Sequence, residues 1–155
     1  MRVQTFVLLI LCVAVSAAPA AAENNPLAWP RHRHAAAILS DVAVTAQIGL
    51  DTIHSLRAPD RRDSLLKQGL RLGLTIGAAE LTKRLVHRTR PDGTDDLSFF
   101  SEHTAIAAAS GGWRLSVSIP LTGVTGYGRM AANRHYFTDT LAGAAVGATI
   151  GRALR

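Results

Sequence analysis

Three segments of the chain carry side chains suited to handling a phosphoryl group. Together they supply cations, a hydroxyl, two imidazoles and carboxylates. In chain order these residues are Lys83, Arg90, Ser101, Glu102, His103, Arg129, His135 and Asp139. A phosphoryl group carries its charge on three equatorial oxygens and needs a nucleophile on one side and a proton donor on the other. The set of side chains matches these needs.

Two of these segments place an imidazole in a chemically useful position. His135 and Asp139 are four residues apart, so on a helix they lie on one face, one turn apart. A carboxylate there can accept a proton from one ring nitrogen and leave the other free to attack phosphorus. His103 lies at the predicted start of a helix, where backbone N–H groups favour an anion. Taken singly, each feature also fits a structural role, such as an exposed ion pair or Ser101 as a helix cap. The functional interpretation therefore depends on the joint pattern.

The ordered spacing of the three segments resembles the signature of the type-2 phosphatidic acid phosphatase superfamily. The pattern reads Lys83-x6-Arg90-Pro91, then Ser101-x-His103, then Arg129-x5-His135-x3-Asp139. That superfamily includes bacterial secreted acid phosphatases, lipid phosphate phosphatases and vanadium haloperoxidases. The resemblance extends over residues 81–151, which is most of the chain after its N-terminal segment.

The resemblance implies a metal-independent phosphomonoesterase of the acid phosphatase type that uses no cofactor. His135 would be the nucleophile that forms a phosphohistidine, Asp139 would orient it, and His103 would be the general acid and base. The remaining residues would hold the phosphoryl oxygens, Glu102 through its backbone N–H: Lys83, Arg90, Ser101, Glu102 and Arg129. No metal is expected at this centre, because three cationic side chains would oppose a metal cation.

Three positions depart from the superfamily's usual pattern. Phe100 stands where proline is usual, Glu102 where glycine is usual, and Gly128 where serine is usual. The side chain of Glu102 is expected to point outward, since a carboxylate pointing inward would repel phosphate and raise the proton affinity of His103. These departures bear on rate and substrate more than on the class of reaction.

The front of the chain has the pattern of a secretory signal peptide. A positive start is followed by an apolar segment, residues 6–17, and by small residues up to Ala22. We expect a signal peptide at 1–22, cleaved after Ala22, an N-terminal arm at 23–40 and a helical phosphatase domain at 41–155; an uncleaved anchor is the alternative. The single cysteine, Cys12, lies within the signal segment, and a mature chain without disulfides fits a bacterial periplasm.

Apolar periodicity and capping residues predict an all-α fold, a compact single-domain bundle of about five helices. The predicted helices cover residues 41–56, 60–87, 101–111, 113–127 and 136–154. The fourth is expected to be interrupted at Pro120. Outside the signal segment, the longest runs free of charged residues are too short to span a membrane.

The composition restricts the class of partner. The net charge of +6 is carried almost wholly by arginine, which forms paired hydrogen bonds with phosphate. Nucleic acid is not expected, because aromatic residues are few and do not interleave with the basic ones. The expected partner is a phosphorylated small molecule or a lipid phosphate as substrate. Peripheral contact with a membrane surface and a homodimer through an Ala/Gly-rich helix stay open.

Three functional hypotheses follow. The leading one is a periplasmic phosphomonoesterase. The second is a peripheral phosphatase acting on a lipid phosphate or an isoprenyl phosphate. The third is a non-catalytic phosphate-binding module in which Glu102 has blunted the chemistry. Haloperoxidase activity is disfavoured because such enzymes are much larger.

Overall fold

The described part of the chain is a bundle of helices. A computed structural model of the protein describes residues 31–111 and 114–155, and within these ranges it contains five helices and no strand. The helices are α1 (Arg33–Arg57), α2 (Arg61–Val86), α3 (Glu102–Ser110), α4 (Leu115–Ala131) and α5 (Phe137–Ala153). The predicted all-α, single-domain architecture is confirmed. The predicted signal peptide and residues 23–30 of the predicted arm lie outside the described residues.

The first helix starts earlier than predicted. It begins at Arg33 and not at Asp41, so Asp41 lies inside the helix and does not cap it. The added turns are held by packing, since Ala36 and Ser40 are fully buried. They face α4 at Gly128, where an added Cβ would lie 2.8 Å from the carbonyl oxygen of Ala36. The close approach of α1 explains why glycine, and not a larger residue, precedes Arg129.

The second helix begins and ends within one residue of the predicted range, and a left-handed residue forms its C-terminus. Asp60 caps the start by accepting a hydrogen bond from the backbone N–H of Asp63 at 3.2 Å. At the other end His87 adopts a left-handed conformation with φ of 47° and donates its N–H to the carbonyl of Lys83. The helix therefore ends several residues before Pro91, through the conformation of His87 and not through the proline.

The fourth helix is continuous through Pro120, so the predicted interruption there is wrong. A proline inside a helix removes one hydrogen bond to the carbonyl four residues earlier. That carbonyl belongs to Ser116, which is exposed, as is Pro120. Water can therefore satisfy the freed carbonyl oxygen, and the helix continues to Ala131.

The tightest helix contact joins α3 and α5. Gly143, Gly147 and Gly151 recur every four residues on one face of α5, against the backbone of α3. An added Cβ on Gly151 would lie 2.8 Å from the carbonyl oxygen of Ala109, and one on Gly147 would collide with that of Ala105. The adjoining core cluster consists of Ala79, Phe99, Phe100, Ala105, Ala142, Val146 and Ile150. This packing fixes the start of α3 against the start of α5, where the candidate site lies.

Large apolar side chains remain exposed along α1 and α2. On α2 they are Leu66, Leu70, Leu74, Ile76, Leu81 and Leu85. By length and composition alone, α1 is the one helix in the described residues that could cross a membrane, and 33% of its apolar window is buried inside the bundle. A search for charge-free runs misses this helix because Asp41 and Asp51 lie within it. A core helix of a soluble protein can satisfy the same criterion.

Candidate active site

The predicted site residues all lie at one end of the bundle. Each comes from the helix end or loop nearest that end: the C-terminus of α2, the loop that follows it, the N-terminus of α3, the C-terminus of α4, and the start of α5. In chain order these are Lys83, Arg90, Ser101, Glu102, His103, Arg129, His135 and Asp139. The ion pairs and hydrogen bonds below join these segments directly. The chain thus brings its three sequence segments together in space.

The ring of His135 is buried and held by the main chain. Its Nδ1 lies 2.7 Å from the carbonyl oxygen of Ser98, a hydrogen bond in which the carbonyl can only accept. The proton is therefore on Nδ1 in the neutral ring, and the lone pair is on Nε2. The Nδ1 atom is 3.9 Å from the nearer oxygen of Asp139, which is beyond hydrogen-bonding distance. A backbone carbonyl thus makes the contact that the sequence assigned to the carboxylate.

Asp139 is fully buried and joins three segments of the chain. One of its oxygens accepts a hydrogen bond from Arg88 Nη1 at 2.6 Å. The other accepts from the hydroxyl of Ser98 at 2.5 Å and from the backbone N–H of Tyr136 at 3.0 Å. Ser98 also holds the ring of His135 through its carbonyl oxygen. Asp139 therefore positions that ring indirectly, through Ser98.

Arg88 is part of this buried network, although the sequence pattern does not include it. Its guanidinium group also donates to Thr138 Oγ1 at 2.8 Å and lies 4.2 Å from the centre of the Tyr136 ring. The side chain of Arg88 is buried. It neutralises Asp139 and leaves the other three cations to face the site.

Lys83 is held between two carboxylates. Its ammonium group lies 2.6 Å from Glu102 Oε2 and 2.9 Å from Glu80 Oε1. The expectation that Glu102 points outward is therefore wrong: the side chain turns inward, because the buried ammonium of Lys83 offers it an ion pair at the start of α3. A phosphate that used Lys83 would have to share this cation with Glu102.

The two arginines of the predicted site also contact carboxylates. Arg90 Nε donates to Asp95 Oδ1 at 2.6 Å, and Asp95 in turn accepts from the backbone N–H of Leu97. Arg129 Nη1 lies 3.8 Å from Asp41 Oδ1, while its Nε is buried without a hydrogen-bond partner among the described residues. Arg129 therefore keeps hydrogen-bonding capacity that an anion could use.

The start of α3 presents backbone donors near these cations. Ser101 is fully buried and precedes α3, and its hydroxyl lies 3.0 Å from the hydroxyl of Thr104. The hydroxyl does not cap the helix. The backbone N–H of Ser101 donates to the carbonyl of Asp139 at 3.0 Å, which ties the start of α3 to the first turn of α5.

His103 contacts a residue that the sequence pattern missed. Its Nε2 lies 3.2 Å from Asp41 Oδ1. Asp41 comes from α1, far from the three segments in sequence, so spacing alone gives no sign of the contact. The available signal was a carboxylate in the apolar stretch between Ala35 and Leu50.

The electrostatic environment lowers the proton affinity of both imidazoles. Burial and then the charge of Arg129 lower the pKa of His103 from 6.5 to about 4, against opposing effects of Asp41 and Glu102. Burial is also the main cause that lowers the pKa of His135; Arg129 and Arg90 add to it, and Asp139 opposes it. His135 is therefore neutral at neutral pH, with an unprotonated ring nitrogen.

Comparison with known proteins gives one informative similarity. The chain is 34% identical over 98 residues to a lipid A 1-phosphatase from Porphyromonas gingivalis. The alignment covers 56% of this chain and 22% of the relative, so the chain spans about a fifth of the relative's length. No family model matches the sequence, and no solved structure matches it. Over part of its length, the chain is thus similar to a phosphatase whose name specifies a lipid phosphate.

Proposed function

We propose that the protein is a phosphatase that hydrolyses a phosphate monoester through a phosphohistidine on His135, with a lipid phosphate as its class of substrate. The observation that carries the proposal is the environment of His135. Its Nδ1 is held by the carbonyl of Ser98 at 2.7 Å, and burial lowers its pKa. The ring therefore has an available Nε2 lone pair beside a group of cations, which suits attack on phosphorus.

In the first step, Nε2 of His135 attacks phosphorus and forms a P–N bond as the ester P–O bond breaks. His103, in its protonated form, gives its proton to the departing alkoxide oxygen. Arg90, Arg129 and Lys83 stabilise the negative charge on the three equatorial oxygens. The positive ring of the phosphohistidine is stabilised by the carbonyl of Ser98.

In the second step, a water molecule attacks phosphorus and the P–N bond breaks. His103, now neutral, takes a proton from the water. The pair of electrons in the P–N bond returns to Nε2, so His135 regains its starting state and inorganic phosphate leaves. His103 acts as the acid in the first step and as the base in the second. The cycle therefore needs no reactant other than the ester and water.

Two observations favour a lipid phosphate over a soluble ester. The relative is a lipid A 1-phosphatase by name. In addition, exposed apolar side chains extend along α2 as far as Leu81 and Leu85 on its last turns, at the end of the bundle that carries the site. Such a surface suits contact with a lipid layer that holds the substrate.

The test is phosphate release by the purified full chain from a detergent-dispersed lipid phosphate and from para-nitrophenyl phosphate, each with EDTA present. His135→Ala should lower kcat more than about a thousandfold on both substrates, because it removes the nucleophile. A labelled phosphoryl group should be trapped on the wild-type protein by quenching into base, where a P–N bond survives, and should be absent from the variant.

His54→Gln is the matched control. His54 lies on α1 thirteen residues after Asp41, about 20 Å along the helix axis from the site. This variant should keep wild-type turnover and the trapped label. Turnover that persists in His135→Ala would overturn the proposed mechanism. Binding of phosphate without turnover or label in the wild type would favour a non-catalytic phosphate-binding module.

A further inference from the structure

Asp41 contacts two residues of the proposed site at once. Its Oδ1 lies 3.2 Å from Nε2 of His103 and 3.8 Å from Nη1 of Arg129. It belongs to α1, whereas His103 is on α3 and Arg129 on α4. Asp41 is thus the group through which α1 reaches the candidate site.

The contact places a negative charge next to the ring of His103. The contact is electrostatic, with the carboxylate 3.2 Å from Nε2 on the side of the ring that faces α1. A negative charge at this distance favours the form of the ring that carries hydrogen on both nitrogens. That protonated form is the one that donates a proton in the first step of the proposed mechanism.

The charges around His103 oppose one another. Arg129 on α4 and His135 before α5 disfavour its protonated form, as does burial, while Asp41 on α1 and its neighbour Glu102 on α3 favour it. Glu102 also forms an ion pair with Lys83 at 2.6 Å, so part of its charge is neutralised. Within the part of the chain that the structure describes, the arginine nitrogen nearest to Asp41 is 3.8 Å away. The distance from Asp41 to Nε2 of His103 is shorter, at 3.2 Å.

We propose that Asp41 is a positioning residue for His103: its carboxylate, next to Nε2, draws that side of the ring toward α1 and stabilises the imidazolium that donates the proton. The catalytic part of this inference rests on the proposed phosphatase function, whereas the effect on His103 itself does not. The closest parallel is a carboxylate that orients a catalytic histidine and stabilises its charged form.

The test compares Asp41→Asn and Asp41→Glu with the wild type, with Asp63→Asn as the matched control. Asp63 is an exposed carboxylate on α2 that pairs with Lys67 at 2.8 Å and lies at the other end of the helix from Lys83. The first readout is the NMR titration of the His103 ring, which needs no activity. The second is the dependence of kcat on pH with an alkyl phosphate.

Asp41→Asn keeps an acceptor oxygen but removes the charge, so the His103 ring should lose its proton at a pH about one unit lower. The alkaline limb of the kcat profile should move down by the same amount, which lowers kcat about tenfold at a pH on that limb. Asp41→Glu should bring the His103 titration and the kcat profile most of the way back to those of the wild type. Asp63→Asn should change neither the titration nor the profile.

An unchanged His103 titration in Asp41→Asn would overturn the inference, as would an equal loss of kcat at every pH. Either result would leave the proposed function standing. Failure of the proposed function looks different, because the wild type would then give no turnover while the NMR titrations still separate Asp41→Asn from the control.

Discussion

The ammonium group of Lys83 lies 2.6 Å from the carboxylate of Glu102, inside the group of cations that would hold phosphate. Lys83 lies in the last turn of α2 and Glu102 begins α3, so the ion pair joins two helices at the site. It also places a negative charge where a phosphoryl oxygen would bind. Under the proposed function, Glu102 would therefore compete with substrate for one of the three cations.

Replacing Glu102 with glutamine should strengthen phosphate binding. The change removes one negative charge next to the anion while keeping the size of the side chain, and we expect the Kd for inorganic phosphate to fall about tenfold. Calorimetric titration measures it directly. Glu80→Gln is the matched control, since Glu80 contacts the same ammonium at 2.9 Å from a more exposed position and should have a smaller effect. Weaker or unchanged phosphate binding in Glu102→Gln would show that the ion pair supports the site instead of competing with substrate.

Activity should decline as the pH rises above the pKa of His103. Burial and Arg129 hold that pKa at about 4, so the protonated ring needed to donate a proton becomes scarce as pH increases toward neutrality. The value of kcat/KM for an alkyl phosphate should therefore be highest in acid and fall toward neutral pH. The comparison substrate is para-nitrophenyl phosphate, whose leaving group needs little protonation and should give a shallower decline. Equal slopes for the two substrates would argue against His103 as the proton donor.

Breaking the buried pair of Arg88 and Asp139 should destabilise the fold. Arg88→Met leaves the fully buried carboxylate without its cation, and we expect the free energy of unfolding to drop by about 3–5 kcal/mol. Urea denaturation followed by circular dichroism measures the change. Arg84→Met, at an exposed position on α2, should alter stability by less than about 0.5 kcal/mol. A double variant, Arg88→Met with Asp139→Leu, should recover part of the loss, because no unpaired charge remains.

Replacing a glycine with alanine should destabilise the protein at one position of α5 and stabilise it at one position of α2. Gly147→Ala would push a Cβ into the carbonyl of Ala105, so we expect a loss of about 2–3 kcal/mol and lower kcat as α3 is displaced. Gly73→Ala on α2 meets no atom within 4 Å and should gain about 0.5–1 kcal/mol from helix propensity. Thermal and urea unfolding of both variants test the pair. A Gly147→Ala protein as stable as the wild type would mean that α3 and α5 can separate at little cost.

Sequence patterns were sufficient for the helices because those patterns are local. The cap at Asp60, the start of α3 after Ser101 and the apolar period of α5 all act within a few residues, and the structure has helices at those places. The two errors arise from what surrounds each helix in the folded protein, which local patterns do not contain. α1 extends to Arg33 because α4 covers its first turns, and Pro120 is tolerated because the carbonyl it leaves unpaired is exposed.

The site residues missed by the sequence pattern share a similar cause. Asp41, Arg88 and Ser98 act through contacts with residues 37 to 88 positions away, so no local spacing reveals them. The direction in which the Glu102 side chain points depends on the position of its partner Lys83, in the last turn of α2. In each case the partner becomes evident only when helices far apart in sequence are placed side by side.

The main-chain contact of His135 has a consequence for mutagenesis. Truncating Ser98 to alanine deletes the hydroxyl that meets Asp139 and leaves intact the carbonyl oxygen that accepts from the imidazole. Alanine scanning therefore does not test the hydrogen bond that holds this ring directly. Amide-to-ester replacement of the peptide unit that carries this oxygen would weaken the anchor without touching any side chain.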